Sequence, residues 1–212
     1  SGPSGSPAFA VSGTKKRLRR RRRLRLAAAS LILLAGLALI SYPFVSDWLN
    51  QRAQDAVSNT QQQTVAALKP ADLSAEKAKA EAYNAHLRDG SSRVVDPFDQ
   101  DDASPGNDEY ESVLNVAGDG VMAELIIPSI SVDLPIYHYT TEEPLSHGVG
   151  HVVNTSVPIG GDSTHSVLAG HTGLPTARLF DRLDELKKGD WFIIRVLGED
   201  HAYKVYSTEV VL

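Results

Sequence analysis

The 212-residue chain carries 21 Lys and Arg, 26 Asp and Glu and no cysteine, which excludes disulfides, thiolate metal centres and a cysteine nucleophile within it. Its formal charge of −5 averages two unlike regions. Nine basic residues (Lys15, Lys16, Arg17, Arg19, Arg20, Arg21, Arg22, Arg23 and Arg25) precede residue 26, and the first acid is Asp47, so 12 basic residues face all 26 acids beyond that point.

The Ser-, Gly- and Pro-rich first 14 residues read as disordered, and 1–25 as a disordered basic cytoplasmic tail. Leu26 to Phe44 is a run of 19 residues without a charge, about 28 Å of helix against a hydrocarbon core of about 30 Å. The basic flank keeps the preceding end in the cytoplasm, while Tyr42 and Trp48 suit the outer interface. The expectation is a transmembrane signal anchor over 26–45, with the lipid bilayer as partner and the remaining domain outside the cell. A cleaved leader has a shorter apolar core and a small-x-small site; here Ser41-Tyr42-Pro43-Phe44 follows. An Arg run is also a nucleic-acid signature, but its place against an apolar 19-mer argues for no nucleic-acid partner.

Residues 46–90 read as juxtamembrane helices. The first, from Asp47 to Leu68, is interrupted by the polar run Ser58 to Gln63 and ended by Pro70. The second is capped by Asp72 or Ser74, stops at Gly90, and presents Ala78, Ala82 and Ala85 with Tyr83 and Leu87 as its apolar stripe. Residues 91–120 are loop-like, with an aromatic after proline in an acidic setting at Asp96-Pro97-Phe98.

From Met122 short β-rich runs alternate with turn residues. Candidate strands are Ala123–Ile127, Val132–Ile136, Gly148–Val153, Ser166–Ala169, Trp191–Val196 and Ala202–Val211, with a short helix over Ala177–Leu186. Strands dominate, helices are short and the alternation of a doubly wound sheet is missing, so a mixed barrel or sandwich over 121–212 is expected. The last strand is still running at Leu212, which leaves an open edge. The expectation is that the sequence stops before the domain closes.

The sharpest chemical constellation is Thr164-His165-Ser166-Val167-Leu168-Ala169-Gly170-His171-Thr172-Gly173-Leu174-Pro175. A strand delivers His171 at its end between two glycines that allow close approach of another backbone. Such a histidine suits a general base or the imidazolium partner of a thiolate, and a surface or hydrogen-bonded structural role is the alternative. His147 and His151 have the spacing of a helical metal pair, but the two glycines between them argue against that helix. His86 and His138 read as structural. Ser166, His171 and Asp181 form only a nominal serine triad, because Ser166 lies in a strand with no nucleophile elbow.

The stretch from Ile127 to Val205, with Tyr110–Asn115, Gly118–Met122 and Ala82-Tyr83-Asn84-Ala85 upstream, resembles class C sortases, the pilus-assembling cysteine transpeptidases of Gram-positive bacteria. The resemblance implies an incomplete sortase-type eight-stranded β-barrel, mainly β with short helices, in which about six strands are present. It makes His171, in the Gly-His-x-Gly-Leu-Pro motif, the catalytic histidine. It makes Asp96, Pro97 and Phe98 a lid over the active site, with Phe98 against the thiol and Asp96 anchoring the segment. It implies cleavage of LPxTG-type sorting signals of pilins or surface proteins, a thioester acyl-enzyme, and a pilin lysine as acceptor. No cofactor and no metal are implied. Thr172 stands where the family usually has Arg or Lys, and His138-Tyr139-Thr140 where it usually has His-Gly-Thr. The family's TLxTC strand and the later Arg strand would lie beyond Leu212, so this piece alone is expected to be inactive. The alternative from another class is a non-catalytic membrane-anchored pseudoenzyme or sorting-signal-binding scaffold.

Overall fold

In the computed structural model, secondary structure is described for residues 11–89, 107–174 and 179–211, with side chains from Arg20 onward. The chain divides into two compact units, 1–45 and 46–212.

The first unit holds the leading part of helix α1 (Val11–Ala67). Helix therefore begins inside the stretch expected to be disordered; a basic run has no intrinsic objection to helix, since Arg and Lys are good helix formers. Leu31, Ile32, Leu33, Leu34, Leu37, Leu39 and Ile40 all stand more than half exposed. Among the described residues this helix is long and apolar enough to cross a membrane.

The second unit begins with the rest of α1. No break occurs at Ser58 to Gln63: Ser58 and Gln61 are buried, Gln62 reaches the sheet, and Asn59, Thr60 and Gln63 stay exposed. Gln61 is buried and donates from Nε2 to the Val121 carbonyl at 3.2 Å, Gln62 donates to Glu124 Oε2 at 3.0 Å, and Gln54 donates to the His147 carbonyl at 3.1 Å. Pro70 does not end this helix; it opens α2 (Pro70–Asp89), a position where its missing N–H costs nothing. The buried face of α2 is Ala80, Tyr83 and Asn84, with Leu87 packed below, whereas Ala78 and Ala82 are exposed. The stripe is thus set by the large ring of Tyr83 rather than by the alanines. The segment expected to be a loop over 91–120 contains helix α3 (Asp108–Ser112), capped by Asn107 Oδ1, which accepts from Tyr110 N–H at 3.0 Å. Two contacts tie α3 and its exit to α2: Lys79 donates to the Ser112 carbonyl, and Glu76 accepts from Leu114 N–H at 2.5 Å.

Among the described residues six strands form one sheet: β1 (Val121–Ile127), β2 (Val132–His138), β3 (Val149–His151), β4 (Leu168–Ala169), β5 (Trp191–Val196) and β6 (Glu199–Lys204), in the order β4-β3-β2-β1-β5-β6. The β2–β3 pair is parallel and is joined across helix α4 (Glu142–His147); the other pairs are antiparallel. Leu125, Ile127, Leu134, Ile136, Val149, Ile194 and Val196 meet in the core with Tyr83, Tyr110 and Leu114. Each such aliphatic side chain contributes about 1.5–3 kcal/mol on burial. The sheet is mixed, as expected, but the described residues show no closure into a barrel. Of the helix expected over 177–186, residues 177–178 lie outside the described residues, and the rest is a 3₁₀ turn at Leu183–Glu185 preceded by bends and turns at 179–182. Strand β6 starts three residues earlier than its sequence reading and ends at Lys204, not Val211.

Candidate functional site

Strand β4 is short and would hold poorly by ladder bonds alone. It is secured by the turn that follows β3. The Val152 N–H donates to the Val167 carbonyl at 2.9 Å and the Ser156 N–H to the His165 carbonyl at 2.9 Å. Side chains answer in return: Ser156 Oγ accepts from His165 N–H at 3.1 Å, and Thr155 Oγ1 from Val167 N–H at 3.2 Å.

That turn rests on His151, which is fully buried. Tyr110 donates its hydroxyl to His151 Nδ1 at 2.8 Å, and Nε2–H is directed at the Ser156 carbonyl at 2.9 Å. Burial pushes the imidazole down to about 4, with the Ser156 carbonyl opposing and the field of His138 adding to the depression. The ring is neutral at pH 7, one nitrogen donating and one accepting. Tyr110 is the hub of this region: its ring lies against Tyr83, His138, Tyr139 and His151 at centroid separations of 5.8, 4.9, 5.0 and 5.7 Å. Desolvation raises its phenol well above the ordinary value. The sequence reading missed this hub; an aromatic in a stretch taken for loop was the available signal.

At the far end of β4 come Gly170 and His171. His171 is half-buried and has no imidazole hydrogen bond among the described residues. Its backbone is fixed. The His171 carbonyl accepts from Phe180 N–H at 3.0 Å, and Asp181 Oδ1 accepts from Gly173 N–H at 2.6 Å. Gly170 lies flat on the Phe180 ring, where a Cβ would come within 2.6 Å of Cδ2. Arg182 extends this anchoring by donating to the Ile130 carbonyl at 3.2 Å while gripping Glu185. The result is a half-open imidazole at the end of a strand, held by backbone contacts and with its ring nitrogens uncommitted to described residues. This arrangement suits proton transfer.

The other sequence candidates separate cleanly. Asp181 serves the Gly173 amide rather than the His171 ring, and Ser166 Oγ is buried without a partner, so the nominal triad has no hydrogen-bonded chain. His147 is exposed and bonded to Ser146 and the Glu143 carbonyl, apart from buried His151, so the two do not form a pair. His138 lies between the Gly120 and Val113 carbonyls, each 2.8 Å from a ring nitrogen, and His86 pairs with Glu109 at 3.3 Å. Among the described residues no three His, Cys, Asp or Glu side chains are grouped to hold a metal ion. Asp96, Pro97 and Phe98 lie outside the described residues. A concavity of about 640 Å³ lined by Leu186, Phe192, Tyr203, Val205, Tyr206 and Val210 is apolar but does not include His171.

One further group went unread in the sequence. Glu124 is buried and receives Gln62 Nε2 at 3.0 Å and Arg195 at 3.2 Å, while Arg195 also pairs with Asp200 at 2.7 Å. Neighbouring Asp133 is raised to about 6 by burial first, then by Glu124 and Asp55, with Arg195 opposing. The cluster joins α1 to β1, β2, β5 and β6 and is structural.

Comparison with known proteins converges on this same region. Residues 125–212 match the Sortase domain family. Sortase D of Bacillus subtilis (strain 168) is 32% identical over 87 residues, covering 41% of this chain and 41% of that protein, so the chain spans less than half the length of this relative. The crystal structure of sortase C-1 from Actinomyces oris is 46% identical, with a TM-score of 0.58 over 65% of this chain and 75% of that one. Streptococcus pneumoniae sortase C is 37% identical, with a TM-score of 0.65 over 72% of this chain and 74% of that one. Streptococcus agalactiae sortase C1 is 38% identical, with a TM-score of 0.61 over 68% and 72%. With relatives 37–46% identical and each covered over more than two thirds of its length, the chain belongs to the sortase family and has class C sortases as its structural neighbours.

Proposed function

We propose that the protein is a class C sortase, a membrane-anchored cysteine transpeptidase that cleaves LPxTG-type sorting signals and joins pilin subunits through a lysine amine. The observation that carries the reading is His171, half-open at the end of β4, its carbonyl held by Phe180 N–H and the Gly173 amide two residues on held by Asp181. The Streptococcus pneumoniae neighbour is described in terms of pilin substrate specificity, which supports the pilin assignment.

In this reading a cysteine thiolate attacks the Thr–Gly carbonyl of the signal, the glycine amine leaves, and a thioester forms. A lysine amine then attacks the thioester and the thiolate departs. A free thiol has pKa about 8.5, so the imidazolium of His171 favours the thiolate and then protonates the leaving amine. An arginine donor would stabilise the oxyanion, a contact often worth about 2.7–4 kcal/mol. The segment Asp96-Pro97-Phe98 acts as a lid that is displaced when the signal binds. The 212 residues contain no thiol, so by themselves they are inactive. Orientation follows the basic flank, with the N-terminus cytoplasmic and the catalytic domain extracellular.

The test uses the cysteine-bearing protein. His171→Ala should lower cleavage of a fluorogenic LPxTG peptide, and its transfer to a lysine-bearing acceptor, by at least about 100-fold with unchanged thermal unfolding. Undiminished turnover overturns the assignment, and so does cleavage by the cysteine-free 212-residue chain. The zero thiol count is also what a non-catalytic scaffold would show; peptide binding without turnover by the whole protein would favour that second reading.

A further inference from the structure

The basic block has a geometry that its charge alone does not reveal. Residues 11–25 are helical, and the side chains of Arg20, Arg21, Arg22, Arg23 and Arg25 are all exposed. At about 100° per residue, four consecutive arginines sweep about 300° of the helix circumference. An interfacial helix lying flat keeps an apolar face for the acyl chains and a basic face for the headgroups. Here Leu24 alone interrupts the six positions from Arg20 to Arg25, and no apolar stripe remains. The guanidinium groups encircle the helix.

Their depth follows from the rise. Arg25 to Arg20 precede the first residue of the apolar run by one to six positions, or about 2 to 9 Å along the axis. The headgroup layer of one leaflet is roughly 5 to 8 Å thick. The ring of charge therefore falls at the level of the lipid phosphates on every side. No acid occurs before Asp47, so no carboxylate three or four residues away competes for these guanidinium groups. Each is a planar fork matched to two phosphate oxygens.

From this we infer that Arg20, Arg21, Arg22, Arg23 and Arg25 form a collar that selects anionic phospholipids, of the phosphatidylglycerol type, into the lipid shell around α1. The inference rests on the reading of residues 26–44 as a bilayer span. Zwitterionic lipids offer the same phosphate, but their ammonium group cancels its field; an anionic headgroup leaves the attraction uncompensated. The consequence is a local shell of acidic lipid that travels with the protein.

The test reconstitutes the full 212-residue chain in phosphatidylcholine bilayers with trace spin-labelled phosphatidylcholine or phosphatidylglycerol, and reads the motionally restricted fraction by electron paramagnetic resonance. Phosphatidylglycerol should associate about threefold or more over phosphatidylcholine at about 0.1 M salt, and the preference should fall toward unity at about 1 M. The combined substitution Arg20→Gln, Arg21→Gln, Arg22→Gln and Arg23→Gln should remove most of it. A ratio of one in the unmodified chain, or a ratio unchanged by the four substitutions, overturns the collar. Extraction with alkaline carbonate from pure phosphatidylcholine vesicles separates the two readings: retention with a ratio of one defeats the collar alone, and release defeats the span and the collar with it. Retention of an oligonucleotide by the embedded chain, with no lipid preference, would overturn the collar in favour of a nucleic-acid partner.

Discussion

Asn84 replaces a strand. Its Nδ2 donates to the Val157 carbonyl at 3.1 Å and its Oδ1 accepts from the Val157 N–H at 2.8 Å, so one buried amide satisfies both backbone groups of a residue that has no ladder partner. Asn84→Ala should destabilise the domain by about 1–3 kcal/mol, read from the urea midpoint, because it strands the buried Val157 N–H, while the Val157 carbonyl keeps the Ile159 N–H at 2.9 Å. Tyr110→Phe makes a narrower cut. It keeps the ring contacts but leaves His151 Nδ1 without its donor, at an expected cost of about 1–3 kcal/mol in the same measurement. Neither role was visible in the sequence. An asparagine and a tyrosine in amphipathic or loop-like stretches give no sign that the partner is a backbone or a histidine scores of residues away.

Strand β4 with its exit turn is the element on which the proposed chemistry depends. Its ladder is only two residues long, so the position of His171 is governed by what the next turn packs against. Gly170→Ala would drive a methyl group into Phe180, which is 8% exposed and has little room to yield. If the proposed cysteine is supplied, this substitution should reduce kcat for peptide cleavage by about tenfold or more, with a smaller effect on KM, as expected when the proposed proton donor shifts by a fraction of an ångström. The sequence showed the strand, the histidine and the bracketing glycines. It did not show that Gly170 is required by an aromatic face, since Phe180 comes ten residues later. The hairpin of β5 and β6 was misread for a related reason: Leu197 and Gly198 both take positive φ, 49° and 78°, and make a two-residue turn of the primed kind. A leucine in that place is a poor signal for a turn, and the strand expected from Ala202 begins at Glu199.

For the domain as a whole, two groups make stability depend on pH in opposite senses. The ring of His151 has a pKa of about 4 in the folded state and about 6.5 when unfolded. Between those values only the unfolded chain takes up the proton, so its contribution is complete above about pH 6.5 and is lost as pH falls toward 4, by up to about 3 kcal/mol. Asp133 runs the other way. With a folded value of about 6 against 3.8, it favours the fold most below about pH 4 and loses that contribution as pH rises through 6. Its partial exposure makes its share the smaller one. Urea titrations should therefore show net loss of stability from pH 6.5 to 4, and Asp133→Asn should raise stability at pH 7.5, give no gain at pH 4 and steepen the acid limb. The mixed sheet itself was legible in outline: β1, β2 and β5 lie within two residues of their sequence positions, because alternation on a half-buried sheet is a local signal. The polar second half of α1 was not, since Gln54, Gln61 and Gln62 look solvated until their partners on the sheet and α4 are known.

The clasp between Asn84 and Val157 also turns one amide into a gauge. Most protected amides report the opening of their own ladder, whereas the deuterium uptake of Val157 is governed by whether a different helix stays seated. Isotope exchange at that single position, followed beside amides of β1, would time the departure of α2 separately from the melting of the sheet.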